Sequence, residues 1–214
     1  MEKIRKYIGK IGKGIATAAL AGYIALGSIG QVKAASSTEI LSGHQSTTID
    51  TKVIGGVTPK IGFLARNRMI ADYKGNVNSF LIVDVTYALG NGFDAVLETQ
   101  ASPQIGVVPR PGLQYFKKNG DFGIFALSTT NAEKNPDLEL ISLLTYTPNL
   151  KENVNLLAQL ETVTNIGTEG HNFSIQRARA GLDVKGYKFG VAADFFESGK
   201  TIDYNLGMFV KKDL

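Results

Sequence analysis

The chain has 214 residues, 43% of them hydrophobic and 20% charged, with a formal net charge of +4 and no cysteine. Without cysteine there are no disulfide staples and no thiolate metal sites. The length suits one all-β domain, and no linker divides it.

The chain opens with Lys3, Arg5, Lys6, Lys10 and Lys13, followed by an Ala/Gly/Ile/Leu-rich run from Ile15 to Ile29. Val32-Lys33-Ala34 then puts small residues at the −3 and −1 positions. Residues 1–34 therefore read as a secretory signal peptide cut after Ala34, the apolar run being short and Gly-rich for a membrane helix. These residues hold six of the 23 Lys/Arg and one of the 19 Asp/Glu, which leaves 17 cations against 18 carboxylates, net −1, in the mature part. The basic balance belongs to the signal, so a nucleic-acid partner has no electrostatic footing. After residue 34 there is no apolar run of helical membrane length, and any insertion into a membrane must be as a barrel.

Residues 35–57 are polar and rich in Ser and Thr. They form a periplasmic leader, a plug, or an extra hairpin. From residue 58 to 214 the pattern is a chain of hairpins. Ten strands are predicted at 60–73, 77–89, 93–100, 111–118, 121–128, 138–147, 152–164, 172–184, 187–196 and 201–211; a hairpin in 35–57 would make twelve. Gly90-Asn91-Gly92, Asn119-Gly120, Pro148-Asn149 and Lys185-Gly186 are tight turns on one side. Ala101–Arg110, Thr129–Asp137 and Asn165–His171 look like longer loops on the other, although Lys74–Asn76 and Glu197–Lys200 are short. An even strand number with short turns on one side is the topology of an outer-membrane barrel.

The last hairpin shows the dyad pattern best. Tyr187, Phe189, Val191, Ala193 and Phe195 share a face, as do Ile202, Tyr204, Leu206, Met208 and Val210. A two-residue turn at Lys185-Gly186 pairs Val184 with Tyr187 and sets Arg177 opposite Asp194. By similar counting Glu161 comes within reach of Arg177, and Glu98 falls beside Asp84. A three-residue turn at 74–76 sets Arg66 opposite Asp84. Mid-strand charge thus gathers on one face, where Arg66, Arg68, Asp84, Glu98, Glu161, Arg177, Arg179 and Asp194 are the candidate lumen lining. On a lipid face each Lys or Arg would cost about 2–4 kcal/mol. The lipid-facing candidates are Leu81, Val83, Val85, Phe189, Val191, Leu206 and Met208. Tyr87, Phe93, Tyr115, Phe122, Tyr146, Tyr187, Phe195 and Tyr204 lie near strand ends on that apolar face, as interfacial girdles do.

On this pattern the chain resembles, over residues 58–214, a small bacterial outer-membrane β-barrel, with no individual family indicated. The resemblance implies an up-and-down antiparallel barrel in the outer membrane, in contact with lipid and inserted by the barrel-assembly machinery. Such barrels usually end on a terminal aromatic. Here Lys211-Lys212-Asp213-Leu214 follows the last alternating residues, and the nearest aromatic, Phe209, is on the other face.

Chemistry-bearing residues are sparse. His171 stands near Glu169, Asn172 and Ser174 without a nucleophile–base–orienter arrangement, and His44 lies in the polar segment. No catalytic residue, metal ligand or cofactor is nominated. Pro103, Pro109 and Pro111 around Arg110 read as a stiffened loop kept out of edge pairing. The expectation is a porin-like barrel of the cell envelope, acting as a narrow pore for small solutes or ions or as a structural or surface protein. Its oligomeric state is left open. The rival is a soluble exported barrel, periplasmic or secreted, that binds an apolar ligand.

Overall fold

The structure is a computed structural model and describes residues 33–214 apart from Ala132 and Lys134. The expected signal peptide lies outside these residues except for its last two, Lys33 and Ala34. Thirteen strands follow in order: β1 (Lys33–Gly43), β2 (Ser46–Gly56), β3 (Ile61–Asp72), β4 (Val77–Gly90), β5 (Phe93–Ser102), β6 (Gly106–Asn119), β7 (Phe122–Thr130), β8 (Asp137–Tyr146), β9 (Asn149–Lys151), β10 (Val154–Gly167), β11 (Gly170–Val184), β12 (Tyr187–Ser198) and β13 (Thr201–Asp213). Each long strand pairs antiparallel with its neighbours, and β1 pairs with β13, which closes the ring. The short β9 pairs on β10 within a connection. The result is a closed up-and-down barrel of twelve strands plus one extra.

All ten strands expected from the sequence are present. Two more, β1 and β2, form a hairpin over residues 33–56, which takes in nearly all of the polar segment 35–57 and the last two residues assigned to the signal peptide. The long loops are not. The strands run on into them, leaving residues 103–105, 131–136 and 168–169 as connections, so both rims are short. Alternation continues through Val107, Val108, Pro109 and Arg110, and the prolines hid it.

Those prolines have a structural consequence. Phe116 N–H donates to Gly92 O at 2.8 Å, so even-numbered residues of β6 hydrogen-bond toward β5 and odd-numbered ones toward β7. The ring nitrogens of Pro109 and Pro111 therefore face β7, and the β6–β7 ladder stops at Gly112↔Thr129. Both rings stay exposed outside, and Arg110 between them is buried within.

Register follows turn chemistry. Lys185 (φ 53) and Gly186 (φ 79) form the left-handed turn that suits a two-residue hairpin, and Val184↔Tyr187, Arg177↔Asp194 and Glu161↔Arg177 pair as expected. The β3–β4 hairpin differs by two residues. Asp72 Oδ1 accepts from the backbone N–H of Lys74 (3.0 Å) and of Asn76 (2.7 Å), which makes Asp72 and Asn76 the closing pair. Tyr73 leaves the ladder and donates its hydroxyl to Gly43 O at 2.8 Å. Arg66 consequently lies opposite Ile82, and Asp84 lies opposite Leu64 and Glu98.

Buried charge lies on the inner face, beside apolar residues such as Ile82, Val96, Val108 and Leu127. Val83, Val85, Leu97, Leu113, Phe189, Val191, Leu206 and Met208 are exposed on the outside, and the aromatics expected in the girdles lie on that wall. Asp50, Arg68, Asp84, Glu98, Arg110, Glu139, Glu161 and Arg179 are buried inside. A barrel binding an apolar ligand needs the reverse. Leu41, Leu157, Ala192 and Phe209 form one apolar cluster against the inner wall.

Candidate functional site

The inward residues of twelve strands converge on a charged lumen. At its centre Arg66 of β3 donates from Nη1 to Glu161 Oε1 (2.9 Å) and from Nη2 to Glu161 Oε2 (3.2 Å). Six strand steps separate β3 from β10 in either direction around the ring, so this two-pronged contact spans the barrel. Its geometry is the strong fork-to-carboxylate kind.

Each end of this strut is held by further charge. Arg66 Nη2 also donates to Asp50 Oδ2 at 2.6 Å, and Arg68 Nε donates to the same oxygen at 3.1 Å. Glu161 accepts from Arg177 beside it, and Lys52 Nζ lies 3.9 Å from Oε2. Four cations thus share two carboxylates, leaving two positive charges uncompensated in this group. Nearby, Arg179 joins Glu39 (Nη2–Oε1 2.8 Å) to Asp194 (Nη1–Oδ1 2.6 Å) and lies over the Phe209 ring. The free space at the heart of this group is about 10 Å³, room for about one water molecule.

The wall formed by β4–β8 has the opposite bias. Asp84 and Glu98 are cross-strand partners, and neither Asp84 Oδ1 nor Glu98 Oε2 has a hydrogen-bond partner among the described residues. Gln100 Nε2 donates to Glu98 Oε1 (2.8 Å) and to Glu139 Oε1 (2.7 Å), which ties the two carboxylates together. Arg110 lies 2.6 Å from Asp137 Oδ1 and donates through Nε to Thr129 Oγ1 at 3.1 Å. A cationic group and an acidic wall therefore face each other across the lumen, and a transverse field results.

All eight charged candidates face inward, and all seven apolar ones face outward. The geometry joins Arg66 to Glu161, Arg177 to Glu161 and Arg179 to Asp194. It does not join Arg66 to Asp84. Asp203 lies opposite Phe196, and Asp194 opposite Asn205. Sequence reasoning missed Glu39, Asp50 and Lys52, because the outward residues of β1 and β2 mix Ser and Thr with Ile and Val and leave no continuous apolar face. It placed Arg110 in a loop and passed over Gln100 and Glu139. Their signal was the period-two spacing of Glu98, Gln100 and Ser102. His171 Nε2 and Ser174 Oγ lie 2.8 Å apart at one rim, and Ser174 Oγ donates to Thr164 Oγ1 at 3.3 Å. No carboxylate hydrogen-bonds this histidine among the described residues.

Neither a protein-family model nor a curated protein matches the chain. Solved structures do. A KdgM porin in complex with disordered oligogalacturonate aligns at TM-score 0.50 and 10% identity, covering 84% of this chain and 99% of that one. OmpT of Vibrio cholerae, with its loop L8 deleted, aligns at 0.37 and 10% identity over 87% and 100%. A mutant porin of Rh. blastica aligns at 0.30 and 10% identity over 86% and 99%. At 10% identity the likeness to the KdgM porin is one of fold: this chain folds as a bacterial outer-membrane β-barrel.

Proposed function

We propose that this protein is a narrow, porin-like pore of the outer membrane, exported by residues 1–34 and inserted by the barrel-assembly machinery. The observation that carries the reading is the Arg66–Glu161 strut, which crosses the lumen between opposite strands and restricts it to ions and small polar solutes. Arg66, Arg68, Arg177, Arg179, Asp84, Glu98, Glu161 and Asp194 line the path and orient dipolar solutes in the transverse field. Leu81, Val83, Val85, Phe189, Val191, Leu206 and Met208 meet lipid. Transport is passive, with no catalytic step assigned.

A second reading is a structural envelope protein. It draws on the Leu41–Leu157–Ala192–Phe209 cluster, which packs part of the lumen as a core. Planar-bilayer recording separates the two. The pore reading expects small conductance steps from the native chain and larger ones from Arg66→Ala/Glu161→Ala. Silence from both, with heat-modifiable folding intact, leaves the structural role.

A further inference from the structure

We infer that the outer wall of β2–β4 carries a built site for one acyl chain of an outer-leaflet lipid, roofed by Tyr73. The inference rests on the membrane-spanning barrel and not on conduction.

Register puts Thr47, Ile49, Met69, Ala71 and Val77 on the outward face. Thr47↔Ala71 and Ile49↔Met69 pair across β2 and β3, and Ala71↔Val77 across β3 and β4. Thr47 and Ala71 are short, so the wall is recessed between Ile49 and Val77. Met69 is the floor of the recess. It points toward lipid yet is only 8% exposed, whereas Met208, also outward, is 70% exposed.

The roof comes from the turn. Asp72 and Asn76 close the β3–β4 hairpin, which frees Tyr73 from the ladder. Its backbone N–H donates to Gln45 O at 3.1 Å, and its hydroxyl donates to Gly43 O at 2.8 Å and lies 3.3 Å from Thr47 Oγ1. The ring is thereby pinned across the end of β2. Beneath it lies a cavity of about 250 Å³ lined by Thr47, Ile49, Met69, Ala71 and Val77.

Hydrocarbon is the occupant that the physics selects. Water in such a space needs about two to four polar partners, and the hydroxyls of Thr47 and Tyr73 are already engaged at its upper edge. An apolar cavity of about 150 Å³ takes benzene, so this one has room for about ten carbons. Strands rise about 3.3 Å per residue, so the path from Tyr73 to Met69 runs about 13 Å from the rim toward the midplane. A chain descending from headgroup level follows that course. The rim above is opposite Asn119-Gly120 and Lys185-Gly186, and short turns of that kind face the periplasm in outer-membrane barrels. The lipid therefore belongs to the outer leaflet, where His44, Gln45, Lys74 and Asn76 are exposed at headgroup level. Val191 and Met208 stand proud of the wall elsewhere. Here the wall is recessed and covered, which turns passing contact into retention.

The chain contains no tryptophan, so a single reporter reads the site. Val77→Trp, at the edge of the recess, and Leu140→Trp, outward on β8 across the barrel, are each folded in detergent micelles and titrated with a phospholipid brominated along its acyl chains. Quenching is expected to saturate for Val77→Trp and to stay weak and linear for Leu140→Trp. Ala71→Phe fills the recess. Each methylene it expels weakens the hold on the chain about fourfold, so in the Val77→Trp background the half-quenching concentration should rise by about tenfold or more. Tyr73→Ala, a rim change that leaves the ladder intact, removes the roof and should act in the same direction. Heat-modifiable migration checks that each variant folds, and silence in planar bilayers bears on conduction alone. Equal linear quenching at the two reporters overturns the inference. So does saturable quenching that both Ala71→Phe and Tyr73→Ala leave unchanged, or a native mass spectrum of the membrane-extracted chain that shows a second copy and no retained lipid.

Discussion

Replacing Glu161 by glutamine removes the charge that holds the strut while nearly preserving shape. The native carboxylate takes two hydrogen bonds from Arg66 at 2.9 and 3.2 Å, one from Arg177, and has Lys52 at 3.9 Å. Its side chain is 4% exposed, against 14% for Arg66 and 11% for Arg177, so solvent screens the group weakly. A hydrogen bond to a charged group contributes about 1.5–3 kcal/mol. Arg66 keeps Asp50, but Arg177 loses the one carboxylate that pairs with it among the described residues. The glutamine oxygen restores about one neutral bond, leaving a net loss of about 3 kcal/mol, at the lower end for breaking a buried pair. With urea slopes of about 1–3 kcal/mol per molar, the unfolding midpoint in vesicles should fall by about 1–3 M. Heat-modifiable migration or circular dichroism follows the transition, and 1 M salt should recover part of the loss by screening the freed cations. A midpoint within about 0.3 M of the native one refutes the view that this contact braces the barrel.

Val191→Arg puts a cation on the outer wall at a position 60% exposed, costing about 2–4 kcal/mol near the midplane; vesicle insertion assays should show slowed or absent folding, and normal insertion would mean that this wall does not meet lipid. Gly190→Ala places a Cβ 2.1 Å from Ala180 O and 2.6 Å from Gly181 Cα, both backbone, so the strands must part, at about 2 kcal/mol or more; an unchanged urea midpoint would disprove the close approach. Asp72, at the rim turn, has its carboxyl held below the usual carboxylate range, first by the Asn76 side-chain amide and then by the backbone N–H groups of Asn76, Gly75 and Lys74. Because the folded pKa is depressed, the turn's stabilisation is complete above about pH 4 and fades as pH falls through the folded value. Cleavage at the turn by an acid protease should therefore rise with acidity in the native chain, while Asp72→Ala is nicked equally at each pH.

The last two strands were legible because alternation, turn chemistry and charge pairing agreed there. Lys185-Gly186 supplies a turn that only one register satisfies, and that register set Arg177 opposite Asp194. Two features hid the rest. On β1 and β2 the outward residues are Ser, Thr, Ile and Val, so the contrast that marks a strand is weak even though Glu39, Asp50 and Lys52 alternate inward. Pro109 and Pro111 look like loop residues until the ladder direction is known, because a proline whose nitrogen faces an unpaired stretch of strand costs no hydrogen bond. A separate misreading, of the β3–β4 turn, bears on the lumen. Counting Lys74–Asn76 as the turn gave Arg66 to Asp84, whereas the Asp72 side chain closes the turn one residue earlier and sends Arg66 across the barrel to Glu161. Asp84 is left beside Glu98 with no ion-pair partner of its own among the described residues. A local hydrogen bond at the rim thus decides whether Arg66 lies opposite Asp84 or opposite Ile82 with its guanidinium on Glu161, and a sequence pattern that fixes faces but not register cannot show it.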